Sequence, residues 1–71
     1  MNETFSLGEH EHIALCDLLK IVGIVNSGGH AKILIAEGEV TRNGEVETRK
    51  TAKIRAGDVI CLGDAEIRVE K

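Results

Sequence analysis

The spacing of apolar positions changes along this chain, and each change marks an element. Ile13, Cys16, Leu19 and Val22 recur every three residues and Leu15 and Leu18 widen the stripe, so the segment from Glu11 to about Val22 predicts a helix with one core-facing side. Gly23 supplies its left-handed stop. Ile24-Val25-Asn26 then leads to Ser27, whose hydroxyl suits the start of a second helix running to Glu37, with Ala31, Leu34 and Ile35 inward and Gly38 as its stop. Two such helices, each about three turns long, are expected to pack as a hairpin. Ahead of them, Thr4-Phe5-Ser6-Leu7 predicts a short opening strand that Gly8 ends.

Beyond Gly38 the helical period disappears. Asn43-Gly44 predicts a two-residue hairpin turn, because both positions of that turn need positive φ, and Val40 and Val46 become the expected inward residues. Residues 48–56 are polar and basic, with Ile54 as the lone large anchor of an irregular connection draped over the core. Residues 58–62 and 65–69 predict a second hairpin around Gly63-Asp64, in which Glu66 and Arg68 alternate with Ile67 and Val69 as on a half-exposed edge. The expected fold is α+β, a helix hairpin packed on a small, mainly antiparallel sheet.

Composition narrows the functional classes. A chain of 71 residues accommodates one domain around one small core. Phe5 is the sole aromatic residue, so the core must be built from Leu, Ile, Val and Ala, with nothing large to organise a ligand pocket. Two cysteines, Cys16 and Cys61, without a multi-cysteine framework fit a reducing cytoplasm. No apolar run approaches the roughly 20 residues that span a bilayer, and the N-terminus has no signal pattern, so neither membrane insertion nor secretion is expected. The net charge of −3 argues at first against an anionic partner, yet its distribution reverses that reading. Residues 42–55 hold five basic residues against two acidic ones, a local +3, whereas residues 1–20 carry −3. Charges more than about 8 Å apart are largely screened at physiological salt, so a basic side can steer an anion despite the overall sign.

Two constellations could carry chemistry. The amides at the start of the second helix, with Ser27, Gly28 and Gly29 before them and Lys32 one turn on, suit either a plain serine cap or a phosphate anchor. Arg49-Lys50 and Lys53-Ile54-Arg55, with Arg42 just before the hairpin turn, suit either a solvated loop balanced by Glu45 and Glu47 or a patch for phosphate oxygens of folded RNA. Without an aromatic stacking platform, an RNA ligand would be read by backbone shape. Glu9-His10-Glu11-His12 with Cys16 superficially suggests metal ligands, but Cys16 falls on the apolar stripe and the segment is read as a solvated helix entry. Neither a catalytic nucleophile with its base nor a cofactor fingerprint is found, so no enzyme activity, metal or cofactor is expected.

With these residues in view, the chain resembles the alpha-L RNA-binding domain named for ribosomal small-subunit protein S-four and also appended to pseudouridine synthases and some tyrosyl-tRNA synthetases. The resemblance spans about residues 13–60 and rests on Gly23, Ser27, the run from Ala31 to Ile35, Gly38-Glu39-Val40-Thr41-Arg42-Asn43-Gly44 and Gly57-Asp58-Val59-Ile60 in that order. Phe5-Ser6-Leu7-Gly8, residues 15–20 and Glu47-Thr48-Arg49-Lys50 make the whole chain similar to the small stand-alone bacterial members called YbcJ-like. Where that family usually has arginine after the helix-start serine, this chain has Gly28. The resemblance implies a non-catalytic, monomeric, cytoplasmic protein that binds ribosomal or transfer RNA through Ser27, Lys32, Arg42, Arg49, Lys50, Lys53 and Arg55. The alternative expectation is a module whose acidic N-terminal side or open strand edge docks on a ribosome-associated or RNA-processing protein.

Overall fold

The computed structural model describes residues 2–71. Along the chain these form β1 (Asn2–Ser6), β2 (Ile13–Ala14), α1 (Leu15–Ile21), α2 (Gly28–Ala36), β3 (Val40–Arg42), β4 (Glu45–Val46), β5 (Lys53–Ile54), β6 (Val59–Leu62) and β7 (Ala65–Glu70). Five strands make one sheet in the order β1-β7-β6-β3-β4, and β2 pairs with β5 in a separate two-stranded ladder. All pairings are antiparallel except that of β1 with β7.

Both helices end as expected. Gly23 takes φ +84° and Gly38 φ +80°. The Gly23 and Ile24 amides donate to the carbonyls of Lys20 and Leu19, and those of Gly38 and Glu39 donate to Ile35 and Leu34. This paired pattern satisfies carbonyls that the last helical turn leaves unbonded. The starts differ. Ser27 caps α2 by accepting from the His30 amide at 3.2 Å, whereas Ala14 gives α1 no side-chain cap. The first amides of α1 instead donate across the fold, Leu15 to the Ala52 carbonyl at 3.0 Å and Cys16 to the Lys50 carbonyl at 3.1 Å. The basic connection is thereby stitched to the helix start, where the positive end of the peptide dipoles favours those oxygens.

One buried cluster fills the space between the helices and the sheet. Leu15, Leu18, Leu19 and Ile35 contribute from the helices, and Val40, Ile60, Ile67 and Val69 from the sheet. Ile60 and Ile67 face each other across β6 and β7. Fully burying side chains of this size contributes about 1.5–3 kcal/mol each, which makes Ile54, fully buried, a firm anchor for residues 48–56.

Four expectations need correction. Residues 11–14 are not helical: Ile13 and Ala14 extend to pair with Ile54 and Lys53, and this ladder overrides an apolar spacing that would continue the helix upstream. The helices are accordingly shorter than expected, with seven and nine residues. Val46 is 61% exposed rather than inward. The two-residue turn, with Asn43 at φ 53° and Gly44 at φ 88°, sets Arg42 against Glu45 and Thr41 against Val46, so Val46 shares the face of Thr41 and not that of Val40. The 48–56 connection contains β5, and Ala52 is buried beside Ile54 as a second anchor. Finally, β7 alternates as expected but lies inside the sheet, because β1 adds to it in parallel and becomes the edge.

Candidate nucleic-acid interface

The Asn43-Gly44 turn does more than reverse the chain. The Asn43 amide donates to the Val59 carbonyl at 2.8 Å and its side-chain oxygen accepts from the Val59 amide at 2.9 Å, which locks the turn onto the start of β6. Its side-chain nitrogen donates to Asp58 Oδ1 at 3.0 Å. The other Asp58 oxygen, Oδ2, accepts from the Arg55 amide at 2.8 Å and from Arg42 Nη2 at 2.9 Å. Arg42 Nη2 also donates to the Lys53 carbonyl at 3.0 Å, and Nη1 lies 3.6 Å from Glu47 Oε1. Glu47 in turn holds Arg49 as a fork, with Nε and Nη2 each 3.1 Å from a carboxylate oxygen and the Arg49 amide at 3.2 Å. Two carboxylates thus fix two arginines and the backbone between residues 53 and 58.

The electrostatics follow from these contacts. Burial alone would push the Asp58 carboxyl up, but the Arg55 amide, the Asn43 side chain and the Arg42 guanidinium together outweigh it and hold Asp58 below its usual range. The Arg49 hydrogen bond, against some opposing burial, lowers Glu47 as well, and the Glu47 contact raises Arg49. Both acids therefore release their protons more readily in the folded chain than in the unfolded one, so their contribution to stability is complete above their ordinary values of 4.5 and 3.8 and drains as pH falls below these. Thermal melts should accordingly hold a steady midpoint between about pH 7 and 5 and lose it progressively below about pH 4.5. A midpoint indifferent to acid would remove the two carboxylates from the stabilising network.

The arginines lie between two shallow hollows of opposite character. One, of about 420 Å3, is walled by Glu45, Glu47 and Asp58 together with Arg42 and Arg49. The other, of about 550 Å3, is lined by Arg42, Arg49, Thr51, Ala52, Lys53 and Arg55, with no acidic residue. The carboxylates thus engage the arginines on the side of the first hollow, and the second is a cationic groove. The structure brings Arg42, Arg49, Lys53 and Arg55 together there. Lys50 is exposed on the same connection but does not line the groove.

Ser27 and Lys32 lie elsewhere. Neither lines the groove, and Ser27 stands at the far end of α2 from Gly38, the helix spanning about 14 Å. Lys32 is exposed midway along α2. A Cβ built on Gly28 meets nothing within 4 Å, so packing does not demand glycine at this position. Sequence reasoning missed the roles of Glu47, counted as charge balance and as part of a motif, and of Asp58, seen as the start of a strand and within a motif. A signal for the second was present, since Asp just after Gly in a turn commonly bonds nearby backbone amides. Among the described residues no group of three or more His, Cys, Asp or Glu could hold a metal ion, and Cys16 is buried on α1. No described helix is long and apolar enough to cross a membrane.

Comparison with known proteins places this arrangement in a family. YbcJ of Escherichia coli (strain K12) is 53% identical over 66 residues, covering 93% of this chain and 94% of its own. RlbA of Bacillus subtilis (strain 168), named for ribosome maturation, is 40% identical over 50 residues, 70% of each chain. The solution structure of E. coli YbcJ, described as revealing an αL motif involved in RNA binding, matches with a TM-score of 0.76 at 51% identity over 96% of this chain and 86% of that one. The S4 domain matches residues 5–70, which take in both helices, every strand but the first three residues of β1, and the cationic groove. The chain belongs to the S4 domain family.

Proposed function

We propose that this chain is a non-catalytic, monomeric RNA-binding protein of the cytoplasm, acting as one unit that grips the phosphate backbone of structured RNA. The observation that carries this reading is the groove lined by four cationic residues and no acid. Lys53 and Arg55 offer exposed side chains to phosphate oxygens, Arg49 presents a fork steadied from behind by Glu47, and Lys50 extends the patch. Arg42, with its side chain only 23% exposed and its Nη2 already shared, acts chiefly through its charge. Ser27, at the start of α2 where free amides and the helix dipole favour an anion, and Lys32, one turn further along, form a second contact.

Phe5, the one aromatic side chain, lines a different hollow, so the cationic groove has no platform on which bases could stack. Recognition is therefore by backbone shape. The ribosome-maturation name of one relative favours ribosomal RNA over transfer RNA. Binding of a fluorescent ribosomal RNA hairpin and of an unmodified transfer RNA, measured across a salt series, tests the mechanism. Four phosphates neutralised in the groove alone predict a log–log slope of about −2.8 to −3.6, because each phosphate contributes about −0.7 to −0.9. Affinity indifferent to salt would overturn it.

A further inference from the structure

A hollow of about 460 Å3 lies between β1 and α1, with a floor of Phe5, Leu7 and Ile13 and with Asp17 and Ile21 on its α1 wall. Asp17 and Ile21 stand four residues apart on the helix, so both project from one side of α1, and Ile21 is 61% exposed. None of the residues lining this hollow lines the cationic groove, and none is lysine or arginine.

The hollow follows an open strand edge. Phe5, Ser6 and Leu7 all line it, as successive residues with alternating side chains do when a hollow runs along the backbone. Among the described residues β1 has β7 on one side and no strand on the other. Leu7 donates its amide to the Glu70 carbonyl at 2.8 Å, so alternation turns the main chain of Phe5 and Glu3 toward β7 and leaves that of Thr4 and Ser6 facing the open side. A backbone edge beside apolar side chains is the setting in which an extended segment adds as a further strand.

Charge selects the occupant. Residues 2–20 contain Glu3, Glu9, Glu11 and Asp17 against Lys20 alone; of these acids Asp17 lines the hollow, while Glu9 and Glu11 line an adjoining one with Arg55 and Lys71. RNA would meet Asp17 with no lysine or arginine to receive its phosphates, only His10 and His12, and a second copy would set Asp17 against its own counterpart. We infer that the β1–α1 hollow is a docking site for an extended protein segment that carries lysine or arginine, whose apolar side chains settle on Phe5, Ile13 and Ile21 while a cation meets Asp17. Because the two hollows share no residue, the protein can hold such a segment and RNA together.

The probe is a nine-residue synthetic peptide alternating lysine with valine and isoleucine, titrated into the 15N-labelled full chain. Amide shifts should concentrate at residues 3–7 and 12–21 and be absent when glutamate replaces lysine in the peptide. Ile21→Ser, on an exposed side chain that leaves the spectrum of the free protein intact, should weaken binding about tenfold, and Asp17→Asn a few-fold. Shifts scattered over the other acidic surfaces, undiminished binding by Ile21→Ser, or the same residues responding instead to self-dilution or to the RNA hairpin would each overturn the assignment.

Discussion

Asp58→Ala is expected to destabilise the protein by about 2–4 kcal/mol, because it strips the acceptor from the Arg55 amide, the Asn43 side chain and the Arg42 guanidinium at once. The carboxylate is only 14% exposed, so water does not replace those bonds freely. A chain of 71 residues has a total stability of roughly 4–10 kcal/mol, so the loss is a large share of it. In a domain of this size each kcal/mol moves the midpoint by roughly 4–8 °C, and thermal melts should show a fall of about 8–32 °C. Asp58→Asn keeps an acceptor oxygen and the side-chain shape but loses the charge, and it should fall between the two. Equal melts for wild type and Asp58→Ala would show that the network adds nothing to the fold.

Reversing two charges should separate binding from folding. The structural contacts of Lys53 and Arg55 are made by their backbones, the Lys53 carbonyl accepting from Arg42 and the Arg55 amide donating to Asp58. Their side chains are free to change without touching that network. Lys53→Glu with Arg55→Glu should therefore leave the melt nearly unchanged while weakening RNA binding about 100-fold at low salt, since each charge-assisted hydrogen bond to a phosphate is worth roughly 1.5 kcal/mol. The salt slope should become shallower by about 2, one for each phosphate no longer neutralised. If affinity survives the double reversal, RNA does not use this groove, and the start of α2 with Ser27 and Lys32 becomes the site to test.

What the sequence revealed was what local chemistry controls. Gly23, Gly38 and the Asn43-Gly44 pair declared their positive φ, and Ser27 declared its cap, because each effect operates within a few residues of its cause. The errors arose where a distant partner decides. Ile13 continues the helical spacing perfectly well, and only the remote Ile54 makes it a strand. Val46 looks like a core residue until the turn fixes its register with Thr41. The basic segment was legible as a cluster, but its geometry was not. Glu47 reads as mere compensation for charge until it is seen holding Arg49 and facing Arg42, and Asp58 lies three residues beyond Arg55 and 16 beyond Arg42.

The parallel pairing of β1 with β7 also sets a timetable. Glu3 finds its register opposite Ile67, 64 residues downstream, so at synthesis rates of about 5–20 residues per second the first strand waits roughly 3–13 s for its partner to be made. The stretch from Leu15 to Val46 holds the helix pair and the first hairpin, whose contacts are close in sequence and quick to form. On the ribosome, then, the first strand is made with neither of its edges yet paired.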